Sequence, residues 1–591
     1  MDSRASSPTE SAGSDLEPHE LWGEHKRPYL FMMHYMKLFG GHEGDWEPGS
    51  TEELDRCISM VRNNKARVSV SELETILRSA RTWRLFEHFT CDSLDLIPHF
   101  MELLRSYCEE NWIFDRYYGF LCFQLLTNVM IAGIINNSDK REHIFKLIRM
   151  WNAGSSDIAS GVGGYGAEMM MEAIMSESHE EMFSTFFVAD YQEGKYVLLP
   201  RLGGFREKDA LWLLDELWEY RRNFVTVCAA VSKMRPGWAV LFTAIWRYVK
   251  KAQDSTILFK KLRNLLLRYA LSAVEPELTL VCKIVSEIDE QVPSSVTEGE
   301  DLPPVDKGDV EFMVHLFMEY LDSEKHDQPS GDMMCFPFAL VYHNALTTIP
   351  DQVPPLLAAV IECVWKTLGE TDSRKTLRER MVEVFGYAVH IIMSMWASSV
   401  LIQGEHLEES KRVAVIVWTK LLRDVNMLEL VGRLCSIAVV SSGEGLLISH
   451  EQFEDLTQST RHFMDSLKSV TKINELGNLD DLRHTWDRVL RYIDLQLYVC
   501  PPGGLVRNRI RVCRSIWIDV GAVFKFKPNA SQQHQCMNPR CPDPFTDGGA
   551  RCVCMRCCWV HYCSGRCQSM HWNSTYVGAH RGECLRLGVQ S

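Results

Sequence analysis

Residues 69–83 read SVSELETILRSARTW and carry both the start signal and the buried face of a helix. Ser69 and Glu72 stand three apart, the spacing of a capping box in which each side chain satisfies an end N–H that the helix leaves unbonded. Leu73, Ile76, Leu77, Ala80 and Trp83 follow at intervals of three and four, one stripe of a 3.6-residue period. The same grammar recurs outward along the chain. Asp254 is placed to cap a helix carrying Leu258, Leu262, Leu265, Leu266 and Tyr269 on one stripe. After Pro354 and Pro355, the residues Leu356, Val360, Val364 and Leu368 return every fourth position, and Gly369 is a natural stop. Leu482, Trp486, Val489, Ile493 and Leu497 repeat the pattern near the end. Alternating β-branched strands with hairpin turns are scarce, so the expected class is mostly α.

The chain has 591 residues, enough for several domains or one long array. Apolar residues make up 46% and charged residues 24%, which excludes a wholly disordered, collagenous or small disulfide-stapled protein. No strict repeat period is visible. Many helices with few strands favour a helical array resembling an armadillo or HEAT solenoid, with separate helical bundles as the competing arrangement. The expected organisation is a disordered tail at 1–25, a helical body at 26–500 with a break at 287–310, a basic connector at 501–530 and a metal-binding finger at 531–591. The break is read from Pro293, Pro303 and Pro304 among acidic residues, the connector from Pro501-Pro502-Gly503-Gly504 and the arginines after it.

Net charge is −15, but it is unevenly spread. Residues 501–591 hold 12 Lys+Arg against 4 Asp+Glu, so an acidic body is joined to a basic tail. The N-terminus has no basic region followed by an apolar one, so no secretory signal is expected. Two apolar runs, 117–135 and 385–402, approach membrane-spanning length. Gln124, Thr127 and Asn128 in the first, and His390 in the second, fit buried helices better, and no membrane association is expected. A cytoplasmic or nuclear location keeps cysteines reduced, and a tight cluster of them then points to metal.

Three motifs in the body carry little. Gly161, Gly163 and Gly166 match a dinucleotide fingerprint, but residues 143–151 before them read as helix where a strand is required, so a helix–helix loop is expected. His343-Asn344 and residues 443–446 faintly resemble pieces of a methyltransferase site, but lie about a hundred residues apart without its core motif. Single histidines such as His88 and His390 read as partnered core or surface residues.

Nine of the 20 cysteines fall within residues 536–584. In order, Cys536 and Cys541 enclose four residues, Cys554 and Cys557 two, Cys563 and Cys567 three, and His580 and Cys584 three. Short spacing lets two donors reach one ion from a knuckle or a helical turn. Four pairs make eight ligands, enough for two tetrahedral zinc sites. With every position filled by protein, such zincs are structural, and no general base stands nearby, Glu583 being the only acid after Asp547.

Beyond these pairs, Tyr562-Cys563-Ser564, then Cys567-Gln568, then His571-Trp572, bring in further matching elements in order. The segment resembles the MYND-type zinc finger, and the layout, with a helical body first and the finger last, is similar to large fungal proteins of that kind. The resemblance implies a two-zinc cross-brace in which Cys536, Cys541, Cys563 and Cys567 hold one ion. Cys554, Cys557, His580 and Cys584 hold the other. Two departures stand out: four residues between the first pair where the family commonly has two, and seven between Trp572 and His580 where it usually has two. Residues 573–579 are expected to loop out, leaving His580 as the ligand because its spacing to Cys584 is right; His571 is the alternative. Cys552 and Cys558 are expected to be free thiols.

The resemblance implies a non-enzymatic interaction or scaffold protein whose finger takes short, proline-containing peptides on Ser564, Gln568 and Trp572. Trp572 fits the small core of the finger equally well. The alternative is a nucleic-acid-associated regulator using Arg507, Arg509, Arg511, Arg514, Lys525 and Lys527, although Val512, Ile516, Trp517 and Ile518 between them suit docking on the body instead. A methyltransferase is the weakest class, since family enzymes carry the finger within the catalytic chain.

Overall fold

A computed structural model describes most of residues 50–587. Outside the described residues lie 1–49 except Trp22, 64–67, 176–186, 201–203, 292–304, 323–330, 370–414, 471–478, 500–503, 528–535, 543–549, 555–559, 575–578 and 588–591, with some shorter breaks. The tail at 1–25, Asp254, the apolar run 385–402, His390, Cys557 and Cys558 therefore fall wholly or largely outside them. The protein is a mostly α helical array with a small C-terminal cysteine-rich finger. Among the described residues its strands form only three two-stranded hairpins. It divides into two compact units, residues 1–304 and 305–591.

The first unit contains α1 (Thr51–Asn63), α2 (Val70–Arg78), α3 (Trp83–Cys91), α4 (Ile97–Cys108), α5 (Tyr117–Asn137), α6 (Arg141–Ala153) and α7 (Ile158–Met175). The hairpin β1 (Phe187–Gln192) and β2 (Lys195–Pro200) follows, then α8 (Glu207–Glu219), α9 (Arg221–Val231), α10 (Trp238–Val249), α11 (Thr256–Ala270) and α12 (Glu277–Gln291). The capping box forms as read: Glu72 accepts from the Ser69 N–H at 3.0 Å and from its hydroxyl. Leu73, Ile76 and Leu77 are buried. The Ser79 N–H bonds back to Ile76 O at the end of α2; Ala80 lies outside the described residues, and Trp83 opens a separate helix, α3.

Helix α5 is the axis of this unit. It is the one described helix long and apolar enough to cross a membrane, yet the residues of Tyr117–Asn136 are buried, packed on by α2, α3, α4, α6, α7 and α10. Its polar groups are spent inside the protein. Gln124 donates to Pro236 O (2.8 Å) and accepts from Trp238 Nε1 (2.9 Å), and Thr127 bonds back to Phe123 O. The buried carboxylate of Glu277 accepts from the Gly237 and Ala239 N–H groups and from Tyr269 Oη, satisfying N–H groups at the buried start of α10 that the helix itself leaves unbonded.

The glycines expected in a loop lie inside α7. A side chain on Gly166 would meet Ile131 and Val240 at about 3.1–3.2 Å, and Gly237, at φ +80°, leaves room for Ile131 and for Gly163 itself. The glycine run thus lets α7 approach α5 and α10 closely. A loop reading follows from helix propensity alone; close backbone approach overrides it here.

The second unit contains α13 (Lys307–Asp322), α14 (Gly331–Thr348), α15 (Val353–Gly369), α16 (Met427–Ala438), the short hairpin β3 (Ser441–Ser442) and β4 (Gly445–Leu446), α17 (His450–Val470), α18 (Asp480–Val499) and α19 (Gly504–Val523). Pro354 and Pro355 sit in the first turn of α15, where the missing N–H costs no bond; the residues after Gly369 lie outside the described ones. Of residues 443–446, Gly445 and Leu446 form β4 and the other two lie outside the described residues, while His343-Asn344 lie on α14.

Residues 504–523, expected as part of a connector, form α19 instead. Ile510, Cys513, Ile516, Trp517 and Val520 are buried, and α19 packs on α16, α17 and α18. Three of the six basic side chains are absorbed locally, while Arg511, Lys525 and Lys527 are exposed. Arg507 donates to Leu497 O, Arg509 donates to Ile448 O and lies over the Phe453 ring, and Arg514 pairs with Asp494 at 2.5 Å. Trp486 and Trp517 lock α18 to α19 reciprocally: each indole N–H donates to the other's carbonyl, at 2.7 and 2.9 Å.

Candidate metal centre

The finger is built from β5 (Cys552–Val553), β6 (His561–Tyr562), α20 (Gly565–Trp572) and α21 (His580–Leu587). Cys536 enters along β6, where the Met537 N–H bonds His561 O at 2.7 Å. The chain then turns back, the Cys541 N–H reaching Asn538 O at 2.9 Å, so both thiols of the first pair point to one place. Ser564 caps α20 by accepting from the Cys567 N–H at 3.2 Å, which fixes Cys567 in the first turn, one helical step beyond Cys563.

These turns bring Cys536, Cys541, Cys563 and Cys567 together, their sulfurs all within 4.8 Å of one another. The Cys541–Cys563 and Cys563–Cys567 separations are 3.6 and 3.5 Å. A tetrahedral ion with Zn–S bonds of about 2.3 Å would hold its sulfurs about 3.8 Å apart, so the group fits zinc. Burial pushes the metal-free Cys536 thiol up to about 11, opposed by the backbone N–H groups of Cys563 and Asn538. At Cys567 burial also raises the value, but hydrogen bonds from Asn538, Cys563, Cys541 and Ser564 outweigh it and the net shift is downward.

Cys554, His580 and Cys584 form a second group on the same criterion, with the two sulfurs 3.7 Å apart. All three are buried. His580 opens α21 and Cys584 lies one turn on, so both face the same side. Burial pushes the His580 imidazole down to about 4, holding it in the neutral form that ligates metal. Cys557, the remaining member expected here, lies outside the described residues. Cys552 pairs with Tyr562 across the hairpin and belongs to neither group.

His571 also belongs to neither. Its Nδ1 lies 3.2 Å from Tyr562 Oη, and its ring sits buried against Tyr562 and His580 at 5.8 and 5.5 Å between centroids. It is a core residue of the finger. His580→Ala is therefore expected to remove one bound zinc per chain, whereas His571→Phe, which keeps a ring against Tyr562, retains the full count. Elemental analysis of the purified full chain under reducing conditions decides between them.

Ser564, Gln568 and Trp572 recur every fourth position on α20 and so share one of its faces. Gln568 and Trp572 are half-buried, and the Trp572 ring meets His580 at 5.8 Å between centroids, so it serves the core with one part and the surface with another. Ser564 spends its hydroxyl on the cap.

Two neighbours of the first group were not legible as site residues. Arg488 and Arg491 come from α18, fifty residues or so upstream in sequence, and share a small cavity with Cys536 and Asn538. Burial pushes Arg491 down to about 10, with Asp487 and Cys536 acting against that shift. Their only sequence signal is two arginines three apart on the same helix as Trp486. Helix α21 packs on α18 as well, so the finger is seated on this helix by two of its segments.

No family model matches this chain, and no curated protein matches it. Three solved chains do. One is described as a circular tandem repeat protein with novel repeat topology and enhanced subunit contact surfaces; it is 10% identical, and the match covers 84% of this chain and 97% of that chain. With a TM-score of 0.18 the likeness carries no argument.

Proposed function

We propose that this protein is a non-enzymatic interaction scaffold of the cytoplasm or nucleus, in which a MYND-type finger held by two structural zinc ions presents α20 to an extended, proline-containing peptide. The observation that carries this reading is the pair of donor groups formed by interleaved segments, the first and third pairs around one point and Cys554 with His580 and Cys584 around another. Cys557 completes the second group in this proposal. Zinc at such sites supplies cross-links that a segment this small cannot make from apolar burial. The chain's own residues then shape the surface. Gln568 offers a donor and an acceptor to a peptide backbone, and the open part of Trp572 offers an apolar face to proline.

The internal partners of Arg507, Arg509 and Arg514 favour this reading over nucleic-acid binding, since those guanidiniums are already committed to α17 and α18 or the residues beside them. The test is Trp572→Ala in the full chain, with zinc content and binding to a panel of proline-containing peptides measured on the same preparation. Full zinc content with peptide binding at least tenfold weaker is the expected result. Unchanged peptide binding, or no binding of any such peptide by the unaltered chain, would overturn it.

A further inference from the structure

The first donor group does not stand alone. A cavity of about 10 Å³, room for about one water, separates it from α18 and is lined by Arg488, Arg491 and Tyr492 on one side and by Cys536, Asn538 and Pro539 on the other. Arg491 is 6% exposed, with Nε, Nη1 and Nη2 all out of contact with solvent. Burying a guanidinium is costly unless opposite charge faces it. Among the described residues, Glu429 pairs with Arg488 and Arg433, and Asp487 lies buried beside Arg491. Across the same cavity both guanidiniums lie against the donor group, Arg488 toward Cys541 and Arg491 toward Cys536.

Four thiolates and one divalent ion make a centre with two net negative charges, and placed against α18 it lies opposite these two guanidiniums. We propose that Arg488 and Arg491 are positioning residues for the Cys536, Cys541, Cys563 and Cys567 centre, holding the metal-loaded finger on α18 and strengthening its grip on the ion. The proposal rests on the reading that this group binds zinc. Metal occupancy at the finger is then felt by α18, and through Trp486 by α19. The finger is an integral part of the second unit, and its loading state alters the helices beneath it.

The test uses the full chain and Co(II), whose visible spectrum distinguishes an all-sulfur centre from one containing histidine. If the unaltered chain develops no all-sulfur cobalt spectrum, the zinc reading itself has failed. Given that spectrum, Arg491→Met and Arg488→Met should each weaken cobalt binding at the all-sulfur centre about tenfold or more, as outer-shell losses do, and leave the other centre within twofold. Arg491→Lys, which keeps the charge, should recover most of the loss. If Arg491→Met does not fold, Arg488→Met and Arg491→Lys carry the decision, Arg488 being only partly enclosed. Affinity within twofold of the unaltered chain in the Met variants, equal weakening at both centres, or a Lys variant as weak as Met would overturn the proposal.

Discussion

Stripping the metal from the full chain with a strong chelator, under reducing conditions, is expected to abolish amide-exchange protection across residues 536–584 while the first unit keeps its own. The effect should be the largest available without touching the sequence. Structural zinc sites are worth about 10–16 kcal/mol in small fingers, and that binding energy is folding energy. The apolar alternative is meagre. Among the described residues of the finger, the buried hydrophobic side chains other than ligand cysteines are Val560 and Tyr562, with Met537 and Trp572 only partly covered. At about 1.5–3 kcal/mol for each fully buried side chain, they cannot offset the cost of ordering the segment. The first unit has its own core around α5 and Trp238. Hydrogen exchange followed by mass spectrometry reads both at once; protection at residues 560–567 that survives chelation would defeat the argument.

The second large effect is expected from Trp486→Ala. Trp486 and Trp517 are both fully buried, and a side chain on Gly521 would lie 2.3 Å from the Trp486 ring, so the indole fills a space shaped closely around it. Removing a buried Trp costs about 3–5 kcal/mol through lost burial and the cavity left behind. The Trp517 carbonyl also loses its donor inside the core, adding about 1–3 kcal/mol. A loss of about 4–8 kcal/mol in the second unit is of the order of a domain's whole stability. Denaturant unfolding followed by far-ultraviolet circular dichroism should show this unit's transition shifted to low denaturant or absent, with the first unit's retained. A shift worth less than about 1 kcal/mol would mean that the α18–α19 contact is not the centre of this unit.

Much of the finger was legible because its signals are local. The thiols of Cys536 and Cys541, or of Cys563 and Cys567, meet through a single turn, and the His580 and Cys584 side chains meet through one step of a helix. The Ser69 and Glu72 capping box is legible for the same reason: each partner lies within three residues of the backbone it satisfies. The choice of His580 over His571 also rested on spacing, and the structure places His571 against Tyr562 instead.

The misread segments are those whose conformation depends on a distant partner. Gly161, Gly163 and Gly166 have poor helix propensity taken alone, and only the approach of α7 to α5 and α10 makes their lack of side chains an advantage. Residues 504–523 look like a charged connector because arginines are usually solvated. Their acceptors, Ile448 O, Leu497 O and Asp494, are brought up by α17, α18 and the chain beside them. The sequence by itself determined that the chain is helical and that Cys536 with Cys541, Cys563 with Cys567 and His580 with Cys584 lie side by side, since these follow from spacings of four and five residues. Only the tertiary structure decided that α18 lies under the first donor group with Arg488 and Arg491 turned toward it. The Trp486–Trp517 lock that fixes α18 in place spans 31 residues, and no local spacing encodes which helix faces meet.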